Sequence, residues 1–222
     1  MKKDSNVWVI IPAYNEEKYI GDVLRKLKKY WKNIVVVDDG SSDGTFEAAS
    51  TVCQHTLQHT LNLGKGAALK TGCEYAFKKL RAESVIFFDA DDQHDPRLIS
   101  IFAQELKIHA VVLGVRAFDN RMPLLRILLN RIGSVLVLLL FGKYIPDIPC
   151  GYKALSKRAY SVIQWKSLDY AVEMEIAAMI AKYKLNFVTI SIPTIYHDLD
   201  RGMNLLDTLA VVRQLLEWRI SR

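Results

Sequence analysis

The sequence predicts an α/β fold built on a largely parallel sheet. Two observations carry this. Short apolar runs alternate with segments of helical periodicity four times between Val7 and Leu113. Polar, acidic and glycine-rich clusters follow Ile11, Val37, Phe88 and Leu113. Each cluster stands at the carboxyl end of a predicted strand, where open α/β sheets bind ligands.

Val7–Ile11 is an apolar run closed by Pro12, which suits a buried strand. From Glu16 to Tyr30, Ile20, Val23, Leu24 and Leu27 recur at helical spacing with lysines between them. Ile34–Val37 is a second buried-strand run, and the Asp-Asp-Gly-Ser-Ser-Asp-Gly after it is a dense loop signal. Asp43 is placed to cap the helix that follows. Gly64 to Leu80 carries another helix, Val85–Phe88 a third strand, and Asp95-Pro96 a helix start, since proline suits the first turn. Ala110–Leu113 is the fourth strand. Beyond it, Met122–Phe141 is long, apolar and studded with arginines. Ser156–Ile163 and Tyr170–Tyr183 read as helices, Phe187–Ile192 as a strand and Asn204–Ile220 as an amphipathic helix. No linker rich in Gly, Pro or Ser and no internal repeat divides the chain. Residues 1–222 therefore read as one domain with a first half over about 7–115 and a second over about 116–222.

Half of the residues are apolar and 24% are charged, which describes a globular chain. The net charge of +6 favours acidic partners such as nucleotides, phosphates or an anionic membrane. No arginine-rich tract interleaved with aromatics supports nucleic acid as a partner. Cys53, Cys73 and Cys150 lie far apart without a CxxC pair, so neither a zinc site nor a disulfide framework is signalled and a reducing compartment is expected. Val7–Ile11 is too short for a signal-peptide core. Ile132–Phe141, interrupted by Gly133 and Ser134, falls short of the roughly twenty residues of a spanning helix. The expectation is a chain that does not cross a bilayer on its own.

Four motifs carry chemistry. In Asp89-Ala90-Asp91 two carboxylates two residues apart share a direction if strand geometry continues. Like charges held that close call for a hard divalent cation, which can stabilise a departing diphosphate. Gln93 continues the alternation as a third oxygen donor. The same residues also read as a solvated acidic turn. In Asp38-Asp39-Gly40-Ser41-Ser42-Asp43-Gly44-Thr45, Asp39 is the candidate for ribose or base contacts, while Ser41 to Thr45 read as a capped turn. In Pro12-Ala13-Tyr14-Asn15-Glu16, Tyr14 is placed to stack on a base and Glu16 to read its edge, while Glu17 reads as a first-turn helix residue. Asn62-Leu63-Gly64-Lys65-Gly66 reads either as an anion loop at a helix start or as tight packing of that helix on the sheet. It is not a Walker A sequence.

In this order and after successive strands, these motifs resemble glycosyltransferase family 2 and its GT-A fold, a Rossmann-like sheet flanked by helices. The similarity is greatest to the dolichyl-phosphate mannosyltransferase and polyprenyl-phosphate glycosyltransferase branch. Gly114-Val115-Arg116 resembles that family's Gly-Ser-Arg, and Asp147-Ile148-Pro149-Cys150-Gly151-Tyr152-Lys153 its acceptor-side Asp-x-x-Cys/Ser-Gly-Phe-Lys/Arg. The resemblance implies an inverting transfer of a hexose, mannose or glucose, from a nucleotide-sugar to polyprenyl or dolichyl phosphate. GDP-mannose is the favoured donor and UDP-glucose the second. It implies that Pro12, Tyr14, Glu16, Val37 and Asp39 hold the nucleoside. Asp89 and Ala90 would lie along the ribose and diphosphate, and Asp89, Asp91 and Gln93 would hold Mg²⁺ or Mn²⁺. Arg116 would contact the donor or acceptor phosphate, and Arg131 with Ser134 the acceptor phosphate. Where the family often has Gly-x-Ser-Lys, this chain has Arg201-Gly202-Met203-Asn204, which leaves Arg201 as the cation over the diphosphate.

Leu124–Phe141 reads either as a core helix with a polar edge or as an interfacial helix against lipid. The resemblance favours the second, and with it a cytoplasmic enzyme peripheral to the cytoplasmic face of a membrane, with room for a membrane-protein partner. A phosphate acceptor needs little base assistance, whereas a hydroxyl needs a positioned carboxylate, for which Asp147 is the candidate. Glu173 and Glu175 read as a helix face. The alternatives are transfer to a glycan hydroxyl on the same fold, or a non-catalytic nucleotide-binding subunit of a membrane complex. Asp89, Asp91 and Gln93 argue against the latter.

Overall fold

The computed structural model describes residues 6–117, 124–194 and 214–220. Its strands are β1 (Val7–Ala13), β2 (Ile34–Asp38), β3 (Thr56–Gln58), β4 (Ser84–Phe87), β5 (Val111–Arg116), β6 (Lys153–Ser156) and β7 (Phe187–Ile192). They form one sheet in the order β3-β2-β1-β4-β6-β5-β7. β6 runs antiparallel between β4 and β5, and the other four pairings are parallel. The helices are α1 (Glu17–Lys28), α2 (Thr45–Val52), α3 (Lys65–Lys78), α4 (Ile99–Glu105), α5 (Leu124–Phe141), α6 (Lys157–Ile163) and α7 (Val172–Lys182).

Strand alternation divides the core between the two faces of the sheet. Val9 and Ile11 pack with Ile20, Leu24 and Leu27 of α1 and with Phe102 of α4. Ile10, Val35 and Val37 pack on the opposite face with Ala68, Leu69 and Cys73 of α3 and with Ile176 and Ile180 of α7. Each fully buried aliphatic side chain in these layers contributes about 1.5–3 kcal/mol. The buried face of α1 is the stripe that the sequence spacing predicts.

Two strands escape the sequence reading. β3 is three residues long and mostly polar, and β6 reads Lys-Ala-Leu-Ser without an apolar run. Both take their strand character from neighbours already in place. β6 carries the sheet from the first half of the chain into the second. The helix expected at Pro96 starts as a single 3₁₀ turn, Pro96–Leu98, with the Asp95 carboxylate accepting from the Arg97 amide.

α5 runs unbroken through Gly133 and Ser134, where the sequence suggests an interruption. Gly133 makes room for Met174 of α7, and the Ser134 hydroxyl donates to the Asn130 carbonyl one turn back. Among the described residues α5 is the one helix long and apolar enough to span a bilayer by length and composition, and only 22% of its span is buried. Asn130, Gly133, Ser134 and Val137 face inward, while Leu124, Leu128, Ile132, Val135 and Leu139 are exposed. Of the predicted C-terminal helix, 214–220 is helical. Leu215 is buried and Lys182 donates to the Trp218 carbonyl, and the remainder lies outside the described residues.

α3 lies so close to the sheet that a Cβ at Gly72 would stand 2.4 Å from Cγ2 of the fully buried Ile10. In an exposed helix, Gly→Ala gains about 1 kcal/mol. Here overpacking reverses the sign, and Gly72→Ala is expected to lower stability by about 1–3 kcal/mol. The urea midpoint at unchanged m-value measures it.

Candidate active site

The carboxyl ends of β1, β2 and β4 carry three of the motifs. The first two motifs interlock. Asn15 sits at φ 53°, its side chain accepts from the Ser42 amide at 2.9 Å, and its own amide donates to Ser41 Oγ. The Glu16 amide donates to Thr45 Oγ1 at 2.8 Å, and the Glu17 amide donates to Asp43. Glu17 in return accepts from the Gly44 amide. Asp43 thus accepts from the first amide of both α1 and α2, while Ser41 and Thr45 hold the turn that leads into α1. Gly40, at φ +71°, is required because a Cβ there would lie 2.4 Å from the Leu61 carbonyl carbon.

Asp39 is buried and saturated. Its Oδ1 meets His59 Nδ1 at 2.7 Å and accepts from the Leu63 amide, and its Oδ2 accepts from the Gly64 amide at 2.7 Å. It organises the loop entering α3. An open pocket of about 280 Å³ beside it is lined by Gly40, Ser41, Gln58, His59 and Thr60. Tyr14 is 45% exposed at the end of β1, while Val37 is fully buried and faces α3. A ligand can reach Val37 only through its backbone. Pro12 and Glu16 are half-buried at the same edge.

At the end of β4 lie Asp89, Ala90 and Asp91. Lys65 at the start of α3 contacts Asp89 Oδ1 at 2.8 Å and Glu173 Oε1, on the first turn of α7, at 2.7 Å. Burial alone would raise the Asp89 carboxyl, but the Lys65 ammonium beside it brings it down to about 2. Asp91 has no such partner among the described residues, so burial first and the Asp89 charge second push it up to about 6. His94 is held neutral, its value lowered by burial to about 4. It stacks on Tyr152 with ring centroids 4.7 Å apart and accepts from the Asp89 amide through Nδ1. Gly151 is required beside Asp89, since a Cβ there would stand 2.2 Å from Oδ2. Gln93 is half-buried and its amide donates to Asp91 Oδ1.

This donor set fits a divalent cation. Asp91 is a half-buried carboxylate within electrostatic reach of a second one, an arrangement that a hard cation on oxygen ligands relieves. Asp89 and Asp91 would hold it, with the Gln93 amide oxygen close by in sequence. Bound there, the cation supplies charge stabilisation to a departing diphosphate. Among the described residues no group of three His, Cys, Asp or Glu side chains forms a ready cage, which suits an ion whose remaining ligands come from substrate and water.

The acceptor side differs from the sequence expectation. Asp147, at φ 44°, is buried and accepts from Arg116 through N, Nε and Nη2 at 2.8, 3.0 and 2.7 Å, and from Asn130 Nδ2 at 2.8 Å. Four donors leave no lone pair free to take a proton from a hydroxyl, so Asp147 is an anchor for β5 and α5. Arg131 and Ser134 do not meet. Arg131 is exposed, whereas Ser134 is buried and bonded to its own helix, because residues three apart near a helix-face boundary can fall on opposite sides of it. Arg201 lies outside the described residues. Sequence reasoning missed Glu173, Lys65 as its partner, His94 and Lys153. Lys153 is buried with its ammonium on the Ile148 and Cys150 carbonyls. The only signal for Glu173 was a charge among the apolar residues of α7.

Two outcomes follow from this geometry. A cation binds the deprotonated Asp91, whose carboxyl is raised to about 6, so Mn²⁺ affinity falls as pH drops through that value. Calorimetry in buffers of different ionisation enthalpy should show proton release near pH 6 and none near pH 8. Asp147→Ala strands Arg116 and costs about 3–5 kcal/mol of stability. Denaturant unfolding detects this, whereas a catalytic base would be removable without a change in midpoint.

Comparison with known proteins places this site in a family. The chain is 34% identical to an uncharacterized protein of Methanocaldococcus jannaschii, over 96% of this chain and 92% of that one. It is 31% identical to the UDP-N-acetylglucosamine–dolichyl-phosphate N-acetylglucosaminyltransferase of Methanococcus voltae, over 99% and 98%. Among solved structures it resembles glucosyl-3-phosphoglycerate synthase from Mycobacterium tuberculosis in complex with Mn²⁺, UDP-glucose and phosphoglyceric acid. The TM-score is 0.69 at 19% identity, covering 96% of this chain and 78% of that one. A second complex of that enzyme holds Mg²⁺ and UDP. The expected Mg²⁺ or Mn²⁺ agrees with these neighbours. The expected transfer from GDP-mannose to polyprenyl or dolichyl phosphate, with a membrane as partner, is corrected. The solved neighbours pair UDP-glucose with phosphoglyceric acid, and Arg131 and Ser134 build no phosphate cradle on α5. The model of Glycosyl transferase family 2 matches residues 8–163, and the chain belongs to that family, with the GT-A fold.

Proposed function

We propose that this glycosyltransferase moves a sugar from a UDP-sugar to a hydroxyl-bearing acceptor with the help of Mg²⁺ or Mn²⁺. The observation that carries the reading is the half-buried pair Asp89 and Asp91 at the end of β4, with Asp91 short of positive charge. A nucleoside diphosphate leaving group brings such a site its cation. The likeness to the dolichyl- and polyprenyl-phosphate branch enters on the donor side only. The dolichyl-phosphate relative from Methanococcus voltae is named for a UDP-sugar, and the solved neighbours hold UDP-glucose or UDP. On the acceptor side, the phosphoglyceric acid of the solved neighbours supports a hydroxyl-bearing molecule.

In this reading residues 7–115 form the nucleotide half and residues 116–222 the acceptor half. The pocket beside Asp39 takes the nucleoside, with Tyr14 and Pro12 at its rim and Asp39 setting the loop that shapes it. Asp89, Asp91 and Gln93 hold the cation and the diphosphate. Arg116, fixed by Asp147, faces the transferred groups from β5. Three buried free cysteines and the use of a nucleotide-sugar fit a reducing, cytoplasmic compartment.

The test is a panel of UDP- and GDP-sugars crossed with small hydroxy acids, glycans and polyprenyl phosphate, scored for labelled product. UDP-sugar turnover onto a hydroxyl acceptor is expected, lost in EDTA and reduced by a factor of about 10² or more in Asp91→Ala. Product on polyprenyl phosphate alone overturns the acceptor assignment, and full activity in EDTA overturns the cation.

A further inference from the structure

The Lys65 ammonium occupies one oxygen of a carboxylate that the proposed reaction assigns to a cation. It lies 2.8 Å from Asp89 Oδ1 and 2.7 Å from Glu173 Oε1. The three side chains retain only 17, 23 and 9% of their exposure, so the charges interact with little screening by water. Glu173 has capacity to spare, since its Oε2 is buried and accepts no hydrogen bond from the described residues.

The backbone carrying Lys65 is clamped by the segment before α7. Gly64 sits at φ +97° against the Leu168 carbonyl, and a Cβ at Gly66 would lie 2.2 Å from the Ser167 carbonyl oxygen. The Ala67 amide donates to the Leu168 carbonyl, and Trp165 Nε1 donates to the Gly66 carbonyl. That segment is itself fixed by Glu175, whose carboxylate accepts from the Lys166 and Ser167 amides. The first turn of α7 therefore governs Lys65 twice. Glu175 sets its backbone and Glu173 its ammonium.

We propose that Glu173 is a positioning residue for the cation site, acting through Lys65. The Lys65 ammonium competes with the divalent cation for Asp89, and Glu173 keeps the ammonium when the cation takes the carboxylate. This arrangement neutralises Asp89 while no cation is bound and keeps a positive charge beside the diphosphate afterwards. The inference rests on the assignment of Asp89 and Asp91 as cation ligands.

Mn²⁺ binding to the nucleotide-free protein tests it, read by the electron paramagnetic resonance of the free ion and without turnover. Lys65→Met, close in volume to lysine, should bind Mn²⁺ more tightly. Glu173→Gln should bind it more weakly, because Lys65 then has Asp89 as its sole carboxylate. Each change should be on the order of threefold to tenfold, the coupling range of residues in contact. In the Lys65→Met background the Glu173→Gln effect should shrink to less than about twofold, because the two residues act as one unit. An equal Glu173→Gln effect in both backgrounds means that Glu173 acts on the cation directly and overturns the proposal, as does weaker binding by Lys65→Met. Lys65→Gln serves in the same comparison if the methionine variant unfolds. Asp91→Ala separates the underlying assignment. Mn²⁺ binding that survives it unchanged removes the cation site and the proposal together, whereas binding that needs Asp91 leaves the Lys65 and Glu173 results to decide the proposal alone.

Discussion

The structure turns on one electrostatic constraint, the partial burial of Asp89 and Asp91 two residues apart at the end of β4. Two ionised carboxylates in a poorly hydrated edge repel strongly, and desolvation penalises each of them. The fold compensates one of the two. Lys65 arrives from the start of α3, and Asp89 is held ionised. Asp91 is left with a raised carboxyl and a need for positive charge that the described residues do not supply. Much nearby architecture serves this asymmetry. Gly151 lets the chain pass against Asp89, His94 stays neutral and stacked on Tyr152, and Gly64 and Gly66 let α3 start tightly enough to deliver Lys65.

A second ion pair fixes the other side of the site. Asp147 takes three hydrogen bonds from Arg116 and one from Asn130, joining the end of β5 to α5. Its positive φ places the carboxylate beneath the arginine, and Lys153 saturates the carbonyls of the turn that follows. The two pairs have opposite logic. At Asp147 the charges balance within the protein, which makes a rigid wall. At Asp91 they do not, which is the basis for proposing a cation site there.

The alternation of strand and helix, the α1 stripe and the strand-end clusters were legible because each rests on local periodicity or on turn chemistry that neighbouring residues set. The turn over Ser41 to Thr45 belongs to the same class, although the N-cap of α2 is Gly44 and Asp43 acts from one residue earlier by accepting from the Thr45 amide. β3 and β6 were not legible, because three or four residues with polar content become strands only when a neighbouring edge supplies partners. Charge partnership was equally hidden. Asp147 and Asp39 look like free carboxylates in sequence, and only the fold shows each of them saturated by donors that include residues 17 to 31 positions away. Arg131 and Ser134 stand only about 60° apart around α5, yet the boundary of its buried face runs between them, and spacing alone does not show where that boundary falls.

This division also explains why the motifs carried the donor chemistry further than the acceptor chemistry. The nucleotide-sugar motifs sit at the ends of β1, β2 and β4, which pair in parallel and are positioned by the sheet itself. A sheet edge tolerates little variation in where its last residue points, so a short motif there predicts geometry as well as composition. The side proposed for the acceptor is assembled from α5, the turn at Asp147 and the loop before α7, held together by side-chain hydrogen bonds that cross between segments. Such pairs can be preserved while the surface they support is remodelled, so a matching motif there fixes the scaffold and leaves the acceptor open. Glu173 lies at the junction of the two regimes. It belongs to a helix of the second half of the chain, yet its contact is with the lysine that pairs with Asp89 at the end of β4. That contact ties the first turn of α7 to the charge balance at the end of β4.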